Sequence, residues 1–128
     1  MDIKYSIDKE DRYAIFRLNE ENLNSLIAPD LKSEFIFLRN EGVRNLILDL
    51  NHVKYVDSSG LSSILTANRL WKDFGSFIIT GIVHPPVQKL IQISRLETIL
   101  TILPTTQESI EYAMMEDLQK ELEQGSEE

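Results

Sequence analysis

The chain has no cysteine among its 128 residues, which excludes a disulfide framework and every thiolate metal site and agrees with a reducing compartment. Histidine is nearly as scarce. His52 and His84 are the only two, and neither has a second histidine or a carboxylate at ligand spacing, so no metal and no cofactor are expected. No apolar run reaches the length of about 18 residues that suggests a bilayer span. The opening Met1-Asp2-Ile3-Lys4-Tyr5 lacks the apolar run of a signal peptide. These absences predict a cytoplasmic protein without a membrane span. Positive charge is also in short supply, with 13 Lys and Arg against 21 Asp and Glu and a net charge of -8. Residues 107–128 hold eight acids against Lys120 alone, while the preceding body is close to neutral. No basic surface stands out, so direct nucleic-acid binding is not expected.

What is present is ordinary for a globular chain: 42% apolar and 27% charged residues, at a length that suits one domain. Residues 3–7 and 13–18 read as strands joined by the polar turn 8–12, an opening hairpin. A polar connection over 19–25 leads to Pro29, which opens a helix with Leu31, Phe35 and Leu38 at helical spacing, Ile36 and Phe37 widening the buried stripe, and Gly42 as its stop. Residues 46–50 form an almost unbroken apolar run, the pattern of a central strand covered on both faces. A second helix follows Asp57, carrying Leu61, Ile64, Leu65 and Asn68, extending to Trp71 and Phe74 and ending at Gly75. Residues 77–80 make another strand. Pro85-Pro86 starts a third helix, with Val87, Leu90, Ile91 and Ser94 at helical spacing. Residues 98–103 read as a short strand, and a last helix begins at Thr106 with Ile110, Ala113 and Met114 on one face. Trp71, Phe74, Met114 and Met115 are taken as packing rather than a ligand pocket. The expected fold is α/β, with a mixed sheet of four to five strands and about four helices. Residues 1–115 would form the domain and 116–128 an acidic helix end and tail, frayed over 124–128.

The informative stretch is Asp57-Ser58-Ser59-Gly60-Leu61, where a strand end turns into an amphipathic helix. Short hydroxyl and carboxylate side chains there can simply cap the unpaired N–H groups of the first turn. The other reading is functional: a serine at a helix start can be exposed on a rigid backbone, and the helix N-terminus tolerates a phosphoryl group. A Ser-His-Asp hydrolase is not supported, because the Gly-x-Ser-x-Gly elbow is absent and nothing supplies an oxyanion hole.

From Leu46-Ile47-Leu48-Asp49-Leu50 through Val53-Lys54-Tyr55-Val56-Asp57-Ser58-Ser59-Gly60-Leu61, the chain resembles the STAS family, especially its anti-sigma factor antagonists. Gly81-Ile82-Val83-His84-Pro85-Pro86-Val87-Gln88-Lys89-Leu90 is similar to the family's strand, turn and helix after the switch helix. The resemblance covers residues 3–115. It implies a STAS-like fold and a partner switch: an unmodified antagonist binds an anti-sigma factor that is also a serine kinase, Ser58 is phosphorylated, and a serine phosphatase restores it. Ser59 is the second candidate. By the same resemblance Asn24, Ser25, Asp57, Ser58, Ser59, Gly60 and Leu61 line the partner surface, and the protein is not itself an enzyme. Two departures stand out. Asn24 occupies the place of a common Asp in a loop that lacks the usual Gly, and Arg95 stands where a Gly often follows the third helix, so that turn is expected to differ.

Two other functions compete. One is a STAS module acting as a constitutive scaffold or as a subunit of a larger assembly such as a transport complex, with Ser58 only a helix cap. The other is an enzyme or small-ligand binder, detectable by thermal stabilisation with nucleotides or acids. Oligomeric state, monomer or weak dimer, is left open by the sequence.

Overall fold

The computed structural model describes residues 2–126. Its strands are β1 (Tyr5–Lys9), β2 (Ala14–Leu18), β3 (Asn22–Leu23), β4 (Asn45–Asp49), β5 (Tyr55–Val56), β6 (Ser76–Thr80) and β7 (Thr101–Leu103). Its α-helices are α1 (Ala28–Asn40), α2 (Ser58–Trp71), α3 (Pro85–Ser94) and α4 (Thr106–Ser126), with one 3-10 turn at Leu96–Thr98. Five strands form the main sheet in the order β1-β2-β4-β6-β7. Only the β1–β2 hairpin is antiparallel; β2–β4, β4–β6 and β6–β7 are parallel, as strand-helix-strand crossovers require. The fold is the mixed α/β arrangement expected.

The unbroken run in β4 follows from its central place. Leu46 and Leu48 face one cluster with Phe16, Phe35, Ile64, Trp71 and Phe77, while Ile47 faces a second with Ile15, Ile78 and Ala113. Alternate residues of a strand point to opposite faces, so with helices on both sides the middle residues Leu46, Ile47 and Leu48 are all apolar. α1 and α2 pack on one another across the first face, and α4 covers the second.

Several local expectations are corrected. Ile36 and Phe37 do not widen the buried stripe of α1; they are 45% and 56% exposed, and only Ala28, Leu31, Phe35 and Leu38 are buried. The helix touches its neighbours on one side, so apolar residues off that stripe face outward. Met115, expected in the packing, is also exposed. α2 ends at Trp71, before Phe74 and Gly75, where Asp73 takes a positive φ of 65°. Gly75 serves a close approach instead: a Cβ there would lie 1.7 Å from the Arg44 carbonyl oxygen. The turn after α3 keeps a left-handed residue although it is not glycine, with Arg95 at φ 54°, ψ 34°. Gly42 does stop α1, with its N–H on the Arg39 carbonyl and that of Val43 on the Leu38 carbonyl, the paired bonds of a Schellman end.

The acidic C-terminal segment continues α4 without a break to Ser126. Of the residues expected to fray, Glu127 and Glu128 lie outside the described residues. Asp117 is buried, and its carboxylate accepts from Arg44 Nε at 3.3 Å and Asn45 Nδ2 at 3.0 Å. Among the described residues, no helix is long and apolar enough to cross a membrane.

Candidate functional site

Residues 19–25, read from sequence as a plain polar connection, pair with the segment that leads into Ser58. β3 and β5 form a separate two-stranded parallel sheet in the register Asn22–Tyr55 and Leu23–Val56. The Glu21 carbonyl accepts from Lys54 N at 2.7 Å, and the Leu23 carbonyl accepts from Asp57 N at 3.1 Å. Two residues per strand are too few to show a period in sequence. Their effect is to fix the backbone on the approach to α2.

Asp57, not Ser58, caps that helix. Its backbone is extended (φ -97°, ψ -174°), and its Oδ1 accepts from Gly60 N at 2.9 Å, while its carbonyl accepts from Leu61 N at 2.9 Å. Ser58 is the first helical residue. It is exposed, and among the described residues its hydroxyl makes no hydrogen bond. Ser59 is half-buried and Gly60 buried. Gly60 is pressed against β3 so closely that a Cβ would lie 2.2 Å from the Leu23 carbonyl oxygen, and only glycine fits there without a shift. Leu61 packs part-buried against the core. The Ser58 hydroxyl is thus offered to solvent by a backbone tied at Leu23, Asp57 and Gly60.

Ser25, Ser58 and Ser59 share one open depression of about 410 Å³ with Ala28, Pro29, Lys32 and Ser62. Asn24 lines a neighbouring hollow with Asp2, Lys4 and Glu20. Its side chain is turned to local structure, with Oδ1 accepting from Leu26 N at 3.0 Å. Lys32 and Ser62 were missed by the sequence reading; Lys32 Nζ donates to Ser62 Oγ at 3.2 Å. Nothing in sequence joins residues 30 positions apart, although Ser62 could be placed one helical turn from Ser58 by counting. His84, on the loop before α3, lies 3.0 Å through its Nε2 from the Asn51 carbonyl oxygen, a local structural contact.

A sequence profile of the STAS domain matches residues 4–109. The chain belongs to the STAS domain family. An anti-sigma factor antagonist from Mycobacterium paratuberculosis has a similar fold, with TM-score 0.79 and 16% identity over 88% of this chain and 95% of that one. The anti-sigma factor antagonist SpoIIAA in its unphosphorylated form is similar at TM-score 0.70 and 20% identity, covering 85% of this chain and 95% of its own. The phosphorylated form of SpoIIAA, from Bacillus, gives TM-score 0.64 at the same identity, over 85% of this chain and 98% of that one. The murine Solute Carrier 26 family member A9 anion transporter shares the fold over 84% of this chain but 18% of its own, at TM-score 0.67 and 15% identity. These likenesses show a fold shared with small anti-sigma factor antagonists and with a part of a much larger anion transporter.

Proposed function

We propose that this STAS protein is an anti-sigma factor antagonist that works in the cytoplasm as a phosphorylation-controlled partner switch. The observation that carries the reading is Ser58, an exposed serine with a hydroxyl unused by the fold, on a backbone fixed from both sides. Unmodified, the surface around Ser58 binds an anti-sigma factor with serine kinase activity and so regulates transcription indirectly. Phosphorylation adds about -1.5 to -2 charge units at neutral pH, enough to repel a partner fitted to a neutral serine. A serine phosphatase reverses the step. ATP and the catalytic base belong to the kinase, so this chain needs no catalytic group. Ser59, half-buried one residue on, is the second acceptor. Asn24, Ser25, Asp57, Gly60 and Leu61 frame the surface, the last two chiefly by holding the backbone. The existence of SpoIIAA in both forms supports a fold that accommodates the group.

The transporter likeness favours a second reading, a scaffold or subunit of a larger assembly. Intact-mass analysis with site mapping on the protein from its native host separates the two. One phosphoryl group on Ser58, absent from Ser58→Ala, is the expected result. A protein unmodified under every growth and stress condition, and co-purifying with the same partners throughout, would overturn the switch in favour of the scaffold.

A further inference from the structure

Among the described residues Lys32 is the one cationic side chain that lines the depression containing Ser58. It sits half-buried on α1, and its ammonium rests against a neutral hydroxyl, Ser62 Oγ, at 3.2 Å. Among the described residues no carboxylate lies within salt-bridge distance of it; the side chains that do have one are Lys9, Arg17, Arg44 and Lys54, with Arg12 near two. Its helical neighbours at three and four residues are Ala28, Pro29, Phe35 and Ile36, so α1 itself supplies no counter-charge. The ammonium therefore rests on a neutral hydroxyl, with no anion beside it among the described residues.

The missing anion has a natural position. Ser58 and Ser62 are four residues apart on α2 and therefore neighbours on one face, with Cβ atoms about 5–6 Å apart. Lys32 already reaches Ser62 from the facing helix. A phosphoryl group on Ser58 Oγ would project toward the same depression, and the flexible lysine stem needs to move by less than a helical turn to meet it. Asp57 is the acidic neighbour of Ser58; its Oδ1 accepts from Gly60 N, and among the described residues it forms no ion pair with Lys32.

Resting on the reading of Ser58 as the modified residue, we infer that Lys32 is the built-in counter-charge of the phosphorylated state, leaving Ser62 to pair with the phosphoserine dianion. The pairing holds the phosphate doubly ionised near neutral pH and fixes it against α1. The modified surface then presents one defined arrangement to the kinase and to the phosphatase. Unmodified, Lys32 remains on Ser62 and the depression keeps its shape, so the switch works by charge with little movement of the backbone.

The test installs phosphoserine at position 58 during translation and follows the phosphorus resonance through the second ionisation of the phosphate. Wild type is compared with Lys32→Met, with Lys32→Arg, and with Lys72→Met, which lies at the far end of α2. The expected result is an ionisation about half a unit higher in Lys32→Met than in wild type, restored by Lys32→Arg and unmoved by Lys72→Met. Identical titrations of wild type and Lys32→Met would overturn the assignment. Because no kinase is involved, the titration judges Lys32 alone; failure of the switch reading shows instead as a native protein never modified at Ser58.

Discussion

Asn45 and Asp117, 72 residues apart in the chain, meet in the interior, where Asn45 Nδ2 donates to Asp117 Oδ2 at 3.0 Å. The same Nδ2 donates to the Arg12 carbonyl at 2.7 Å, and Asn45 Oδ1 accepts from Ser76 N at 2.9 Å. One buried carboxamide therefore links the start of β4 to β6, to the turn before β2 and to α4. Arg44 and Arg12 lie 3.3 and 3.9 Å from the Asp117 carboxylate, and Arg12 also pairs with Glu121 at 2.9 Å. The acidic helix is acidic partly because it answers these cations.

Asp117→Ala leaves the buried Asn45 amide short of one acceptor and Arg44 without its carboxylate, while Arg12 keeps Glu121. Stability should fall by about 1–3 kcal/mol, read as a lower urea midpoint. A chain ending after Met115 should lose at least as much, because it also gives up the Arg12–Glu121 pair. An unchanged midpoint in both would show that α4 beyond Met115 contributes nothing to the fold.

Gly60→Ala tests how tightly the approach to Ser58 is held. The added methyl would meet the Leu23 carbonyl at 2.2 Å and the Leu23 Cγ at 2.7 Å, so β3 or the first turn of α2 must shift. A loss of about 1–3 kcal/mol is expected. Faster amide exchange at Asp57, whose N–H is bonded to Leu23, should accompany it. Ser58→Ala should by contrast cost only a few tenths of a kcal/mol, because Asp57 is the cap.

Tyr5 supplies a pH dependence with a definite sign. Burial, and then the neighbouring Glu34, hold its phenol above the ordinary tyrosine value, while its ring stacks on Phe16 with centroids 4.7 Å apart. The folded state keeps its proton to higher pH than the unfolded state does. The resulting stability is fully present below about pH 10 and is lost as pH rises through the folded value. Unfolding of Tyr5→Phe, compared with wild type at about pH 8 and about pH 11, should show a smaller alkaline loss in the variant. Equal losses would assign the alkaline sensitivity to other groups.

Local chemistry made much of the fold legible. The apolar run of β4, Pro29 and Pro85 at helix starts, and Asp57 beside Ser58 are features that a few neighbouring residues determine, because period, proline geometry and capping act over one or two turns. The order of the main elements and the place of Ser58 at the start of α2 followed from them. Ile36 and Phe37 show where this stops: composition placed them inside, but only the position of α2 beside α1 decides which stripe is covered.

The sequence by itself determined the types of the four helices and of the main-sheet strands, the two-sided burial of the central strand, and the serine that stands at the mouth of α2. Only the tertiary structure decided that Glu21 and Leu23 brace Lys54 and Asp57, that Lys32 faces the same depression as Ser58, and that Asp117 is an interior residue. These are contacts between positions about 30 to 70 residues apart. Periodicity carries no information across such distances, because it records which side of an element is apolar and not which neighbour arrives there.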